Sequence, residues 1–152
     1  MTYIAAEARQ RLLDTIGEAA DELGAALGAL TEAYELLDDD SADRMEEALF
    51  QPVQAAFGRA QRTHAGFAER HNMTGRTFAA ESRLNATRGA RTLIEAALES
   101  LNEAELILTE LQDSMLPVEV GDPELRTGLA EVRQAMSSAG DAGHRFIGLM
   151  GR

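Results

Sequence analysis

The chain has no cysteine and no lysine, and only three prolines among its 152 residues. Without cysteine there is no disulfide framework, no thiolate metal site and no cysteine nucleophile. No apolar run approaches the roughly 20 residues that a membrane span needs. The first residues, Met1 to Glu7, have neither a basic start nor a continuous apolar core. No secretion signal is therefore expected, and the cytoplasm is the default compartment. Period-two runs of β-branched residues are absent as well. The few prolines sit in a composition dominated by alanine, leucine, glutamate and arginine, all good helix formers. With 45% apolar residues the chain has enough material for one sizeable core. The expectation is a single all-α domain spanning residues 1–152.

What is present is a heptad seam. Leu13, Ala20, Leu27 and Tyr34 recur every seventh residue, and Ile16, Leu23, Leu30 and Leu37 follow three places on. This spacing lays an apolar stripe along one helix, from about 4 to 37. Small residues flank the stripe on both shoulders, Ala5, Ala19, Ala26 and Ala33 on one, Gly17, Gly24 and Thr31 on the other. Both shoulders suit close packing of neighbours. A second helix is expected over 42–71, capped by Asp40 or Ser41 and kinked or truly started by Pro52. Its stripe is Phe50, Phe57, His64 and His71 with Val53, Ala60 and Phe67. A turn using Gly75 leads to a third helix over 77–115, with Thr87, Ile94, Leu101, Leu108 and Met115 on its seam. Asp122-Pro123-Glu124 then provides a cap, a proline at the first helical position and an acid in the first turn, opening a fourth helix over 123–149. Short connections predict a four-helix up-and-down antiparallel bundle. A third helix longer than the fourth would overhang it and favour a homodimer.

Charge is uneven. The net charge is −12, which excludes a general DNA-binding surface. Yet residues 59–91 hold seven arginines against only Glu69 and Glu81, while both flanking regions are strongly acidic. In sequential antiparallel order the arginines and all three histidines would share one end. Two functional readings follow, an anion held at that end or basic and acidic regions meeting between molecules in a salt-sensitive association, beside the plain one that the arginines pair with Glu69, Glu81 and Glu7 and merely solubilise the surface. Arg62, His64, His71, Arg88, Arg91 and His144 are the candidate ligand-binding residues. Arg91, between Leu84 and Leu98 on one register, either points inward to an acid or anion or lays its stem on apolar surface with its head in water.

A metal centre would require the histidines to converge with a carboxylate such as Asp141 or Glu69. The paired Glu-x-x-His motifs of di-iron bundles are absent, and Glu95, Glu99 and Glu103 fall on outward positions. No phosphate loop, nucleophile elbow or dinucleotide fingerprint occurs. No catalytic residue, cofactor or metal is therefore assigned. The leading expectation is a non-enzymatic interaction or scaffolding bundle that self-associates as a dimer, alone or with a protein partner. The alternative is a bundle that binds a phosphate- or nucleotide-like anion.

Overall fold

A computed structural model describes residues 2–84 and 88–150. The protein is all-α. Helix α1 spans Thr2–Leu36, α2 Asp39–Met45, α3 Gln51–Arg70, α4 Ala90–Asp113, α5 Leu116–Glu119 and α6 Pro123–Met150. The α1 stripe is the centre of the core: Leu13, Ile16, Ala20, Leu23, Leu27 and Leu30 are all buried, with Tyr34 emerging where the helix leaves the bundle. The opposing layers are Val53, Phe57, Ala60 and Phe67 of α3, Leu93, Ile94, Leu101 and Leu108 of α4, and Leu125, Leu129, Val132 and Met136 of α6. Truncating one such buried leucine to alanine typically costs about 2–5 kcal/mol.

Helix α2 begins earlier than its acidic run implied. Asp38, not Asp40 or Ser41, has the extended backbone of a cap and accepts hydrogen bonds from the Ser41 N–H at 2.8 Å and the Ser41 hydroxyl at 3.1 Å. Residues Glu46–Phe50 form a π-helical turn that joins α2 to α3, with the Gln51 N–H reaching back to the Glu46 carbonyl. That wider turn absorbs Pro52, which has no N–H to donate, so 39–70 run as one long helical element. The chain leaves α3 at Asn72, whose φ of 55° supplies the left-handed turn expected of Gly75. Asp122 caps α6 by accepting the Leu125 N–H at 2.8 Å, as its sequence context implied.

The third long helix departs most from expectation. It begins at Ala90 rather than 77 and ends at Asp113, and Met115 takes a φ of 68° beyond it. At 24 residues against 28 for α6 it is the shorter of the two, so the expected overhang does not exist. Thr87, assigned to its seam, lies outside the described residues. Residues 71–84 are instead a non-helical strap laid along α1.

Pairings fix the chain's course. Helices α3 and α6 are antiparallel, since Arg59 meets Glu131 while Arg70 meets Asp122. Helices α4 and α6 are antiparallel too, since Arg133 meets Glu105 while Leu98 packs over Gly143. Helices α1 and α3 form a hairpin with Gly24 against Phe57. Hence α3 and α4 run in the same direction on one diagonal of the bundle, and every neighbouring pair is antiparallel. The stretch between Arg70 and Ala90 carries the chain back along the bundle. Extended chain of that length reaches about 60 Å, beyond the roughly 36 Å of α4.

Candidate functional site

The strap rests in a trough that α1 makes by omitting side chains. Gly17, Gly24 and Gly28 lie on one face and are buried. A Cβ on Gly24 would overlap the Ala79 carbonyl oxygen, and one on Gly28 the backbone of Glu81 and Ser82. At Gly17 it would come within 3.1 Å of the Arg76 guanidinium. Backbone here lies directly on backbone. Side chains pin the strap from either side. Arg76 donates to both oxygens of Asp21 at 3.1 and 2.7 Å, and Arg83 Nη1 donates to both oxygens of Glu22 at 2.6 Å. Glu22 is only 8% exposed, so Arg83 supplies the hydrogen bonds that water would otherwise give its carboxylate. The hydrogen bonds to Asp21 and Glu22 hold both guanidiniums more firmly in the charged form.

Phe78 closes the trough against α3. Its ring meets His64 edge-on at 5.0 Å, and the Arg76 guanidinium lies 4.1 Å over its centroid. His64 is 3% exposed and its Nδ1 has no hydrogen-bond partner. Burial pushes its pKa below the ordinary histidine value. Arg76 acts in the same direction, and Asp14 and Asp21 oppose it. The imidazole is therefore held neutral beneath the strap.

A second cluster joins α3 to α6. Arg70 donates through Nε and Nη2 to Asp122 at 2.8 and 2.9 Å and through Nη1 to Glu124 at 2.9 Å, while His71 Nε2 lies 3.0 Å from Asp122. Burial alone would raise the Asp122 carboxyl. Hydrogen bonds from Arg70, the Leu125 N–H and His71 outweigh it and hold that group well below the usual carboxylate range. Beside this cluster a groove of about 450 Å³ carries Arg59, Arg62 and Arg70 against Pro123, Glu124 and Thr127 of the first turn of α6.

The six candidate residues therefore do not share one end. Arg62 lines the α3–α6 groove, His64 lies under the strap, and His71 belongs to the Asp122 cluster. Arg88 and Arg91 stand at the start of α4, where Arg91 is exposed and meets Glu95 at 3.3 Å, so it points outward. His144 is exposed in a groove with Asp141, Asn102 and Glu105. The strap is the cause. By returning the chain to its starting end it moves Arg88, Arg91, His144 and Arg145 to the end that holds the acidic 38–43 turn, so the basic end expected from sequential order is dispersed. Among the described residues no group of three histidine, aspartate or glutamate side chains is arranged to hold a metal ion.

The arginine-rich middle of the chain finds its partners in the acidic flanks rather than in Glu69, Glu81 or Glu7. Arg59 pairs with Glu131, Arg70 with Asp122 and Glu124, Arg76 with Asp21 and Arg83 with Glu22. The strap itself was missed by sequence reasoning. Its signals were Gly17 and Gly24 on one register, with a net-positive segment following an acidic helix. No protein-family model matches the chain, and no curated protein or solved structure is significantly similar to it. No helix of the described residues is long and apolar enough to cross a membrane.

Proposed function

We propose that this chain is a non-enzymatic interaction or scaffolding bundle that self-associates as a dimer in the cytoplasm. One observation carries the reading: the large apolar side chains that remain exposed gather at the two ends of the bundle. Tyr34, Leu36 and Leu149 stand at one end and Ile4, Met115 and Val118 at the other, with Leu106 alone on a flank. Scattered exposed leucines need no explanation, but apolar groups concentrated on an end face mark a contact surface. An end face two helix diameters wide offers about 400 Å² per partner, about half of a standard stable interface and in the range of weak, transient contacts. The dimer is therefore concentration-dependent.

Light scattering across a wide concentration range tests this. The mass should rise from 16.4 kDa toward twice that value. Either Leu36→Glu with Leu149→Glu, or Met115→Glu with Val118→Glu, should return the monomer. A wild-type mass that stays monomeric up to about millimolar protein would remove the reading, since micromolar association already corresponds to about 8 kcal/mol.

The alternative, anion binding, is favoured by the groove that gathers Arg59, Arg62 and Arg70 beside the first turn of α6. Among the described residues Arg62 has no carboxylate partner, which leaves it available to a phosphate. Inorganic phosphate, polyphosphate and nucleotides at low salt should then raise the melting temperature, and Arg62→Glu should abolish the rise. A ligand at about 100 times its Kd adds about 2.7 kcal/mol.

A further inference from the structure

The strap is bound to its bundle in the manner of a ligand. Every anchor described for it lies on the hairpin that precedes it: Asp21, Glu22 and the three trough glycines on α1, and His64 on α3. Among the described residues, no backbone N–H from Thr74 to Arg83 donates to a backbone carbonyl. Shape, one aromatic ring and two arginine–carboxylate pairs hold it, rather than a hydrogen-bonded ladder. Downstream the strap leads into the second hairpin, α4 with α6, which completes the core against α1 and α3. The molecule is thus two helical hairpins joined by a segment that one of them recognises.

We propose that the α1 trough also receives the strap of a second copy of this chain, so that two molecules exchange their α4–α6 hairpins. This names the exchanged element and rests on the self-association reading, but it does not use the apolar ends. Recognition between copies is chemically identical to recognition within one. Arg76 and Arg83 meet Asp21 and Glu22, and the backbone at Ala79 and Ser82 meets Gly24 and Gly28. Nothing in the core is lost, because each bundle is rebuilt from one hairpin of either chain. The pivot is at hand. Asn72 turns the chain out of α3 with a φ of 55°, and straightening it points the strap away from its own α1. Charge favours the encounter as well as the final fit, since residues 1–58 are strongly acidic and 59–91 carry the excess of arginine. Raised salt should therefore slow exchange.

Charge reversal separates exchange within a chain from exchange between chains. In one variant, Asp21→Arg with Glu22→Arg, the trough repels its own strap. In the other, Arg76→Glu with Arg83→Glu, the strap repels its own trough. Only a complex of the two variants pairs every charge correctly. The readout is tryptic cleavage after Arg76 and Arg83, which the trough variant retains. Alone, that variant should be cut rapidly. An equal amount of the strap variant should slow cutting about tenfold or more, because cleavage follows the population of the undocked strap. The protected species should have twice the 16.4 kDa chain mass. A chain carrying all four reversals satisfies its own trough and should give no protection.

Unchanged cleavage on mixing overturns the exchange. The wild-type concentration series and the end-face variants decide the self-association reading separately, so either idea can fail alone. If circular dichroism shows that a double variant has lost its helices, Asp21→Arg is mixed with Arg76→Glu. The Arg83–Glu22 pair then stays native and the same criterion applies.

Discussion

The two shoulders of α1 are both built from small residues, yet they receive different kinds of neighbour. On one, Ala19, Ala26 and Ala33 are buried within the helical core. On the other, Gly17, Gly24 and Gly28 carry an extended strap whose backbone touches the helix at Gly24 and Gly28 and whose Arg76 side chain lies over Gly17. A methyl group is small enough for helix-to-helix packing, where side chains fill the gap between two axes. It is too large where a bare peptide group lies on the helix surface. Alanine and glycine, commonly grouped as small, thus specify two different partners only two residues apart on the same helix, at Gly17 and Ala19 and again at Gly24 and Ala26.

The comparison breaks most visibly at the glycines. Gly24→Val or Gly28→Val should expel the strap, costing about 2–4 kcal/mol, because the overlap is with backbone that cannot rotate aside. Helix content should hold while tryptic cleavage after Arg76 and Arg83 accelerates. If either valine variant keeps the strap protected, the trough is not what seats it. Ala26→Gly on the other shoulder should cost about 1–2 kcal/mol, from lost helix propensity and one buried methyl. It should leave strap cleavage relative to global unfolding unchanged.

The smallest effect sharpens the comparison through pH. His64 under the strap has a folded-state pKa below its ordinary value of 6.5, so the folded protein binds fewer protons there than the unfolded chain. Its contribution to stability is complete above pH 6.5 and falls as pH drops through the lower folded value. Melting temperatures taken from pH 7.5 to 5 should decline, and His64→Gln should flatten that part of the curve. Asp122 acts in a separate window. Its lowered pKa means that its contribution is lost only as pH falls below the ordinary carboxylate value of 3.8.

The helical frame was legible because its signals are local and repeated. The stripe of Leu13, Ile16, Leu23 and Leu30 is buried as its period requires, and Asp122-Pro123-Glu124 opens α6 as its chemistry requires. The antiparallel packing expected from short connections holds between spatial neighbours, whereas α3 and α4, consecutive long helices in the chain, run in the same direction. The strap was not legible, and the reason is energetic. Phe78, Ala79, Ala80, Glu81 and Leu84 are acceptable in a helix, and no proline or glycine interrupts 77–88. Propensity differences of a few tenths of a kcal/mol per residue are outweighed when Phe78 is covered and Arg76 and Arg83 find carboxylates. Those partners lie more than fifty residues away, at Asp21 and Glu22, where no local window sees them. The same blindness dispersed the candidate site. Once 77–84 proved not to be helix, Arg88, Arg91 and His144 lay at the opposite end from His71, although Arg91 and His144 fall on the helices expected of them.

The order in which the chain is made gives the strap one more consequence. All its described anchors, from Gly17 to His64, are synthesised before it. At about 5–20 residues per second the remaining helices take several seconds to emerge, while helical hairpins form in microseconds to milliseconds. The first hairpin can therefore seat the strap on the ribosome as soon as it clears the tunnel. The nascent protein then waits as a half-bundle, with its glycine shoulder already covered and the surface destined for α4 still open to water. Synthesis is thus divided at the strap into two stages, and only the second closes the core.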